Sequence, residues 1–241
     1  MGSLLHSVGD CTSPDNLKTY ADQKEATLKR LIASRTVKNE ETIRAYRVVP
    51  RELFLPKHLV PDAYVDTPLP IGEGQTISAI HMCLIYLELL DLKEGLKVLE
   101  IGGGSGYQAA LVAEVVSPSG NPPSGHVFTV ERIRSLVEFA NENLERSGYS
   151  DRVTVIEADG TLGWPTEAPY DRIMVAAAAP HIPQPLIDQL KSGGKLLIPV
   201  GKHHFWQELT LVMKSDKEKI KTRQEMSVAF VPLIGKEGWS S

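Results

Sequence analysis

The sequence predicts an α/β protein built on a doubly wound, mostly parallel sheet. From residue 97 onward, short runs rich in β-branched residues alternate with helical patterns, and this alternation favours right-handed crossovers and a sheet covered on both faces. The last runs have no helix between them, so an antiparallel hairpin is expected at one edge. The predicted strands are KVLEI at 97–101, HVFTVE at 126–131, RVTVIEAD at 152–159, DRIMVA at 171–176, KLLIPVG at 195–201, LTLVMK at 209–214 and SVAFVPLI at 227–234.

The residues before the sheet predict an N-terminal helical extension. Apolar residues recur at helical spacing over residues 16–46, which favours two amphipathic helices. Five prolines between residues 50 and 70 break regular structure, and a further, buried helix is predicted from about Ser78 to Leu90. We therefore divide the chain into an N-terminal extension at 1–25, a helical and active-site loop region at 26–96, and the sheet domain at 97–241.

Composition and charge argue against several classes of protein. Hydrophobic residues make up 42% of the chain and charged residues 23%, and no apolar run reaches the roughly 18 residues that span a membrane. The N-terminus has no basic segment before an apolar one, so no signal peptide is indicated and a cytoplasmic protein is expected. The net charge of −4 argues against a nucleic-acid partner. We expect a monomer.

No metal site is expected. The two cysteines, Cys11 and Cys83, are far apart and in no C-x-x-C spacing, which argues against a disulfide framework and against a thiolate site. His203 and His204 are adjacent, so their side chains would point apart on a strand, and no acid or cysteine completes a set of ligands. We interpret these histidines as part of a surface loop.

A glycine-rich loop follows the first predicted strand, where doubly wound sheets bind their ligands. Its glycines at 102, 104 and 106 do not match the dinucleotide pattern G-x-G-x-x-G, because position 107 is tyrosine. Two acids, Glu131 and Asp159, end the next two strands. A glycine turn alone can simply join a strand to a helix, and a single acid can be a helix cap. The combination of loop and acids therefore supports the functional interpretation.

The stretch Glu100–Gly106, E-x-G-x-G-x-G, resembles the motif of class I methyltransferases, which have a Rossmann-like fold and bind S-adenosyl-L-methionine. The resemblance implies that the loop backbone approaches the amino-acid part of this cofactor, and that Glu131 holds two ribose hydroxyls. It also implies that Asp159 accepts from the adenine amino group, with Gly160 near the ring. The cofactor-binding residues expected are Gln75, Thr76, Ile77, Glu100, Gly102, Gly103, Gly104, Ser105, Gly106, Glu131, Arg132, Asp159 and Gly160.

The stretch Asp66–Met82, DTPLPIGEGQTISAIHM, closely resembles the N-terminal motif of the protein L-isoaspartate (D-aspartate) O-methyltransferases. The likeness continues through LEIGGGSGYQAALVAEV, VFTVERIRSLVEFANENL, DRIMVAAAAPHIPQPLIDQLKSGGKLLIPVG and FVPLIGKEGW, and covers roughly Ala26 to Trp239. It implies an enzyme that methylates L-isoaspartyl residues of age-damaged proteins and peptides, which leads to a succinimide and back to L-aspartyl. S-adenosyl-L-homocysteine is the expected by-product.

The sequence departs from this family in three places. Ile80 stands where the family commonly has proline, which puts the rigidity of the neighbouring loop in question. The first 25 residues exceed the family minimum, and SPSGNPPSGH at 117–126 is an insertion that we expect to form a mobile surface loop.

The resemblance assigns catalysis to Ser78. The α-carboxylate of an isoaspartyl residue has a pKa of about 3.5 and is ionised at neutral pH, so no general base is needed and positioning is the expected mechanism. Ser78 would donate to this carboxylate beside the transferring methyl group, or alternatively cap the following helix. Val231, Pro232 and Leu233 are expected to contact the substrate peptide along a strand edge, the alternative being an ordinary buried strand.

Two other interpretations stay open. A methyltransferase of a small-molecule carboxylate, or of RNA, would share the glycine loop, Glu131 and Asp159. It would not need the GQTIS and FVPLIGKEGW segments, and an RNA enzyme should be basic. A non-enzymatic protein that binds S-adenosylmethionine to regulate a partner belongs to a different class, and the intact Ser78 argues against it.

Overall fold

The computed structural model describes residues 14–202 and 206–240, and this part of the chain contains a seven-stranded sheet and a separate two-stranded hairpin. The two hairpin strands come first in the chain, and the order across the large sheet is β5-β4-β3-β6-β7-β8-β9. The strands are β1 (Leu69–Gly72), β2 (Gln75–Ile77), β3 (Lys97–Ile101), β4 (His126–Glu131), β5 (Val153–Glu157), β6 (Tyr170–Val175), β7 (Leu190–Gly201), β8 (Gln207–Lys214) and β9 (Ile220–Val228).

Helices flank this sheet and precede it in the chain. Residues 14–33 form one continuous helix, which crosses the boundary that we placed after residue 25. Residues 1–13 of the expected N-terminal extension lie outside the described part of the chain. The helices are α1 (Pro14–Ala33), α2 (Glu40–Val48), α3 (Ile80–Leu90), α4 (Tyr107–Val116), α5 (Arg134–Ser147) and α6 (Gln184–Asp188).

The pairing of the strands confirms the predicted doubly wound sheet with an antiparallel edge. Strands β3 to β7 pair in parallel with one another, whereas β8 is antiparallel to both β7 and β9. From β3 the chain first moves outward through β4 to β5, and then returns to place β6 on the other side of β3. Such a reversal of strand order opens a crevice at the carboxyl ends of the strands, where ligands bind.

The two faces of the sheet carry separate apolar clusters. Alternate residues of a strand point to opposite faces, so Val98 packs with α4 and α5 while Leu99 and Ile101 belong to the cluster on the other face. Leu186 of α6 joins this second cluster. Burial on both faces explains why β3 reads as a nearly continuous apolar run rather than an alternating one.

The hairpin of β1 and β2 lies over the glycine loop. Its turn contains Glu73 and Gly74 at φ values of 52° and 69°, in the left-handed region that tight hairpin turns use. The hydroxyl of Ser135, at the start of α5, donates to Glu73 Oε1 at 3.0 Å and fixes the tip. The Ile71 side chain comes within 3.2 Å of the position that a Cβ on Gly104 would take. These contacts bring the GQTIS segment to the mouth of the crevice.

The last strand lies earlier in the chain than predicted. The sequence analysis placed it at 227–234, but β9 ends at Val228. The prediction was wrong because β9 has almost no buried residues and therefore no apolar pattern, and its backbone pairing to β8 at the sheet edge holds it in place. The apolar residues 229–234 follow β9 in an irregular segment, in which Pro232 makes one isolated bridge to Ala178.

The insertion at 117–126 forms a surface loop with anchored ends. Residues 119–124 are exposed, but the Ser119 hydroxyl donates to the buried carboxylate of Glu114 at 2.6 Å. Arg152 Nη1 donates to the carbonyl oxygen of Ser117 at 2.9 Å. The surface location agrees with our expectation, and the mobility of the loop stays a prediction.

Candidate active site

A cleft opens at the carboxyl ends of β3, β4 and β6 and encloses about 1040 Å³, counting the space open to solvent at its mouth. Segments that are distant in sequence form its walls, among them the end of the β1–β2 hairpin, the glycine loop, the end of β4, and the irregular segment after β9. The predicted site residues that line it are Gln75, Thr76, Ile77, Ser78, Gly102, Gly103, Gly104, Ser105, Glu131, Arg132, Gly160, Val231, Pro232 and Leu233.

Three predicted cofactor residues do not reach the wall of the cleft. Glu100 is fully buried beneath the glycine loop, and Gly106 packs against α5 at a φ of 84°. Asp159 is bonded to Thr161 and to the backbone of Lys236. Their roles toward the cofactor stay predictions.

The glycine loop needs its glycines for backbone conformation and for packing. Gly102 and Gly104 have φ values of 90° and 53°, which side chains disfavour. Gly103 has another reason, because a Cβ there would stand 2.5 Å from the hydroxyl of Thr129 on β4. That hydroxyl donates to Glu100 Oε2 at 2.6 Å. The loop therefore rests directly on a buried pair of polar side chains.

Glu131 organises the backbone around the loop. Its Oε2 accepts the N–H of Gly104 at 3.0 Å, and its Oε1 accepts the N–H groups of Arg132 and Ile133 at 2.8 and 3.0 Å. A carboxylate offers about four lone-pair positions, so one on Oε2 remains for a ligand hydroxyl. The sequence analysis expected two ribose hydroxyls on Glu131, and this geometry accommodates one of them while the loop stays as it is.

The environment of Glu100 favours the neutral form of its carboxyl group. Burial raises its pKa to about 8, against the lowering effect of the hydrogen bond from Thr129. Its Oε1 is buried, and among the described residues it has no hydrogen-bond partner. The acid of the E-x-G-x-G-x-G motif therefore supports the loop from below, through its hydrogen bond with Thr129.

Ser78 lies in a segment that is held from two sides. Its carbonyl oxygen accepts from Nη2 of the fully buried Arg51 at 2.8 Å, and Arg51 Nε donates to the carbonyl oxygen of Ala63 at 2.9 Å. On the other side, Asp66 Oδ1 accepts the backbone N–H of His81 at 2.8 Å. The backbone of Ser78 is thus fixed by an arginine and by the capped start of α3.

The start of α3 corrects the expectation that Ser78 caps this helix. The helix begins at Ile80 and its N-cap residue is Ala79, which has no side chain able to cap, so Asp66 supplies the acceptor from a distance. Although burial opposes ionisation, hydrogen bonds from His81 and Arg30 hold the pKa of Asp66 below its ordinary value. The Ser78 hydroxyl has no hydrogen-bond partner among residues 14–202 and 206–240, so it is available to a ligand in the cleft.

The segment after β9 forms the opposite wall. The carbonyl oxygen of Val231 accepts the N–H of Ala178, and the N–H of Leu233 donates to the carbonyl oxygen of Ala178, both at 2.8 Å. These bonds hold residues 231–233 in an extended conformation beside the loop that follows β6. The phenyl ring of Phe230 lies 6.0 Å from the ring of Tyr86, centroid to centroid, and both side chains line the cleft.

Several lining residues were not among the predicted site residues. Met82, Cys83 and Tyr86 lie on α3, and Met174 lies on β6. Burial raises the pKa of the Cys83 thiol to about 11, so it is not a thiolate nucleophile at neutral pH. No local signal marks these residues, because α3 is apolar on most of its faces and reads as a core helix.

The residues that line the cleft are suited to bind S-adenosyl-L-methionine. The glycine loop presents backbone without side chains, and Glu131 keeps one acceptor position free at the end of β4. The side chains of Ile101, Val130 and Met174 add an apolar part to the wall of the cleft. A concave, mostly apolar pocket with a few convergent polar groups is what a small cofactor requires.

Metal and membrane features are absent from the described part of the chain. In residues 14–202 and 206–240, no group of three or more His, Cys, Asp and Glu side chains could hold a metal ion. None of the helices described there is long and apolar enough to cross a membrane. Cys11, His203 and His204 lie outside the described residues.

The strand order, the glycine loop after β3 and the acid at the end of β4, gathered around one cleft, define a class I methyltransferase that uses S-adenosyl-L-methionine. A family model described as protein-L-isoaspartate(D-aspartate) O-methyltransferase matches residues 22–238. The chain belongs to this protein-L-isoaspartate(D-aspartate) O-methyltransferase family.

Curated relatives and solved structures agree with this assignment. The chain is 54% identical over 222 residues to the protein-L-isoaspartate O-methyltransferase of Hyperthermus butylicus, covering 91% of this chain and 92% of the relative. It is 51% identical over 218 residues to that of Methanothermobacter thermautotrophicus, covering 90% and 98%. The fold is similar to a putative protein-L-isoaspartate O-methyltransferase of Plasmodium falciparum solved with S-adenosyl-L-homocysteine, at a TM-score of 0.76 and 28% identity, covering 88% and 98% of the two chains.

Proposed function

We propose that this protein transfers a methyl group from S-adenosyl-L-methionine to the free α-carboxylate of L-isoaspartyl residues in damaged proteins and peptides. Membership of the family supports the reaction. The single structural observation that supports it best is the Ser78 hydroxyl, which is unpaired within the described residues and lines the same cleft as the glycine loop and residues 231–233. A donor between a cofactor wall and a peptide wall is suited to hold a carboxylate that is about to be methylated.

The chain's own residues act by positioning. Bound S-adenosylmethionine supplies an electrophilic methyl group on a positively charged sulfur. The substrate carboxylate is ionised at neutral pH, with a pKa of about 3.5, so the protein does not have to remove a proton. Ser78 would donate a hydrogen bond to one carboxylate oxygen and so leave the other oxygen free to accept the methyl group.

The surrounding residues keep Ser78 and the carboxylate aligned. Arg51 and Asp66 fix the backbone on either side of Ser78, so this segment of the backbone does not have to be ordered when the substrate binds. The apolar side chains of Tyr86 and Phe230 exclude water from the same wall, which strengthens the hydrogen bond to the carboxylate. The neutral Cys83 thiol does not compete for the methyl group.

The product explains how methylation leads to repair. The methoxy group of an α-methyl ester is a better leaving group than the oxygen of a free carboxylate. The following backbone nitrogen attacks the ester carbonyl, a C–N bond forms, the C–O bond to the methoxy group breaks, and methanol leaves with the nitrogen's proton. The resulting succinimide opens by hydrolysis in part to L-aspartyl, which restores the normal backbone.

The alternative is a methyltransferase of a small-molecule carboxylate. It has less support, because residues 231–233 offer an extended wall that a small acid would not need. The net charge of −4 also supports a peptide substrate over RNA. A monomeric state and a cytoplasmic location stay predictions from the sequence.

Transfer of radiolabelled methyl groups tests the proposal. The purified protein should label a short peptide containing L-isoaspartate and should not label free succinate or a short RNA. Label in succinate with none in the peptide would favour the small-molecule alternative. Binding of S-adenosylhomocysteine without transfer to any acceptor would favour a regulatory protein.

A further inference from the structure

The side chain of Asp159 forms a hydrogen bond with the C-terminal part of the chain. Its Oδ2 accepts the backbone N–H of Lys236 at 2.8 Å, and its Oδ1 accepts the backbone N–H and the hydroxyl of Thr161 at 2.9 and 2.7 Å. Although partial burial opposes ionisation, these donors hold the pKa of Asp159 below its ordinary value. Three of the roughly four lone-pair positions on this carboxylate are therefore in use.

Thr161 makes a second connection to the same part of the chain. Its hydroxyl oxygen is fully buried and accepts the backbone N–H of Glu237 at 3.0 Å while donating to Asp159. The consecutive amides of Lys236 and Glu237 are thus both held by side chains that follow β5. A buried backbone N–H group needs a hydrogen-bond acceptor. Because two consecutive N–H groups have their acceptors here, the path of the backbone at residues 236 and 237 is closely defined.

Gly235 shows how closely the chain passes this cluster. A Cβ on Gly235 would stand 2.1 Å from Asp159 Oδ1 and 2.7 Å from the Thr161 side chain. Distances under 3.0 Å essentially never occur for real Cβ atoms, so any side chain at this position would push the segment away from Asp159. Glycine at 235 is therefore a packing requirement of the contact.

The anchored residues continue directly from the peptide wall of the cleft. The N–H of Trp239 donates to the carbonyl oxygen of Leu233 at 2.8 Å, and Trp239 Nε1 donates to the carbonyl oxygen of Ala178 at 3.0 Å. Residues 231–239 therefore form a closed loop, which we call the C-terminal loop. It is fixed at Ala178 on one side and at Asp159 with Thr161 on the other.

We propose that Asp159 and Thr161 are positioning residues for the substrate peptide, because they fix the C-terminal loop and with it the wall formed by residues 231–233. This inference rests on the proposed function of the cleft. It goes beyond the adenine contact expected of Asp159, for which one lone-pair position remains. Asp159 does not itself line the cleft, so it acts on the peptide wall through the C-terminal loop.

Two variants separate the positioning role from a cofactor role. Thr161→Val keeps the shape of the side chain but removes the acceptor for Glu237 and the donor to Asp159. Gly235→Ala leaves both of these side chains unchanged and displaces the loop. Each should raise the KM for an isoaspartyl peptide about fivefold or more at saturating S-adenosylmethionine, since a lost hydrogen bond is commonly worth about a factor of five. The Kd for S-adenosylhomocysteine and kcat should stay within twofold.

Asp171→Asn is the matched control. Asp171 also accepts a backbone N–H, that of Lys97 at 3.0 Å, but it lies at the amino ends of the strands, away from the cleft. This variant should leave the peptide KM and the cofactor Kd unchanged. A variant that only weakened the fold would raise both quantities together, so the split between them identifies positioning.

Hydrogen exchange provides a readout that does not depend on activity. The amides of residues 236 and 237 should exchange faster in Thr161→Val than in the wild type, with the sheet unchanged. Unchanged exchange at these amides, an unchanged peptide KM in both variants, or a cofactor Kd that rises in parallel with KM would overturn the inference. A wild-type protein that methylates no isoaspartyl peptide would instead overturn the proposed function, and the exchange result would still report on the anchor.

Discussion

Arg51 donates a hydrogen bond to the carbonyl oxygen of Ser78 at 2.8 Å from a fully buried position. The same guanidinium donates to the carbonyl oxygen of Ala63 and stacks over the ring of Tyr107, with its carbon 4.8 Å from the ring centroid. Arginine is suited to this role because its planar fork can serve two carbonyl groups at fixed angles. The segment that carries the proposed catalytic hydroxyl is therefore held by a side chain 27 residues earlier in the chain.

Arg51→Lys should lower the free energy of unfolding by about 1–3 kcal/mol. An ammonium group can reach only one of the two carbonyl oxygens, and the other is left buried without a donor. Urea unfolding followed by circular dichroism measures the effect. Arg134→Lys is the control, because Arg134 pairs with Glu138 on the exposed surface of α5 and should show no measurable change. An equal free energy of unfolding for Arg51→Lys and the wild type would mean that the two hydrogen bonds of Arg51 contribute nothing to stability.

Ser78→Ala should lower kcat about 10- to 100-fold, since a hydrogen bond to a charged group is worth about 1.5–3 kcal/mol. Affinity for S-adenosylhomocysteine should stay within twofold, because the hydroxyl acts on the substrate carboxylate. Steady-state kinetics with an isoaspartyl peptide, together with calorimetric titration, separate the two effects. Ser192→Ala, at the amino end of β7, is the control. A wild-type rate in Ser78→Ala would leave the positioning to backbone amides.

Glu131→Gln should weaken the binding of S-adenosylhomocysteine about 10- to 100-fold. The amide nitrogen cannot accept hydrogen bonds, so the variant loses the ribose contact or one of the backbone contacts that shape the loop. Calorimetric titration measures the Kd, and Glu138→Gln, on the exposed face of α5, is the control. An unchanged Kd would remove Glu131 from the cofactor site.

Glu100 should make the stability of the protein depend on pH. Burial raises its pKa in the folded state to about 8, whereas the unfolded value is near the ordinary 4.5. Between these values the folded state holds a proton that the unfolded state has lost, so stability falls as the pH rises from 4.5 to 8. The Glu100→Gln variant has no ionisable group at this position, so this contribution to the pH dependence of stability is absent.

The difference between Glu100→Gln and wild type measures this effect alone. Urea unfolding at pH 5.5 and pH 7.5 should show the variant gaining stability relative to wild type, by roughly 1 kcal/mol for each pH unit. A difference that is the same at both pH values would show that Glu100 ionises normally in the folded protein.

The sequence predicted those parts of the fold whose signals are local. The strands β3 to β8 could be recognised from short runs rich in apolar and β-branched residues, most of which are separated by helical patterns. The glycine loop and Glu131 could be placed at the cleft because a parallel sheet brings the ends of its strands together. β9 could not be predicted, since an exposed edge strand has no apolar period.

The remaining parts of the site depend on contacts between distant residues. Arg51 reaches Ser78, Asp66 caps α3 from outside the helix, and Asp159 contacts Lys236, 77 residues away. In each case a side chain forms a hydrogen bond with a backbone group. Every residue has such backbone groups, so the sequence does not indicate which of them the side chain contacts. The sequence predicted Asp159 as the last residue of its strand, whereas β5 ends two residues earlier, at Glu157. The hydrogen-bond partners of Asp159 became visible only in the folded chain.

The most direct test of the account compares two peptides that differ only in L-isoaspartate or L-aspartate at one position. Both carry one free carboxylate, so charge cannot distinguish them. The normal residue lacks the extra backbone carbon, which would place its carboxylate oxygen about 1 Å or more from the required position. Such a displacement can cost about a hundredfold in rate. Mass spectrometry of methyl ester and succinimide should give a kcat/KM about a hundredfold or more higher for the isoaspartyl peptide. Equal yields from both peptides would contradict selection by position and indicate a general carboxyl methyltransferase.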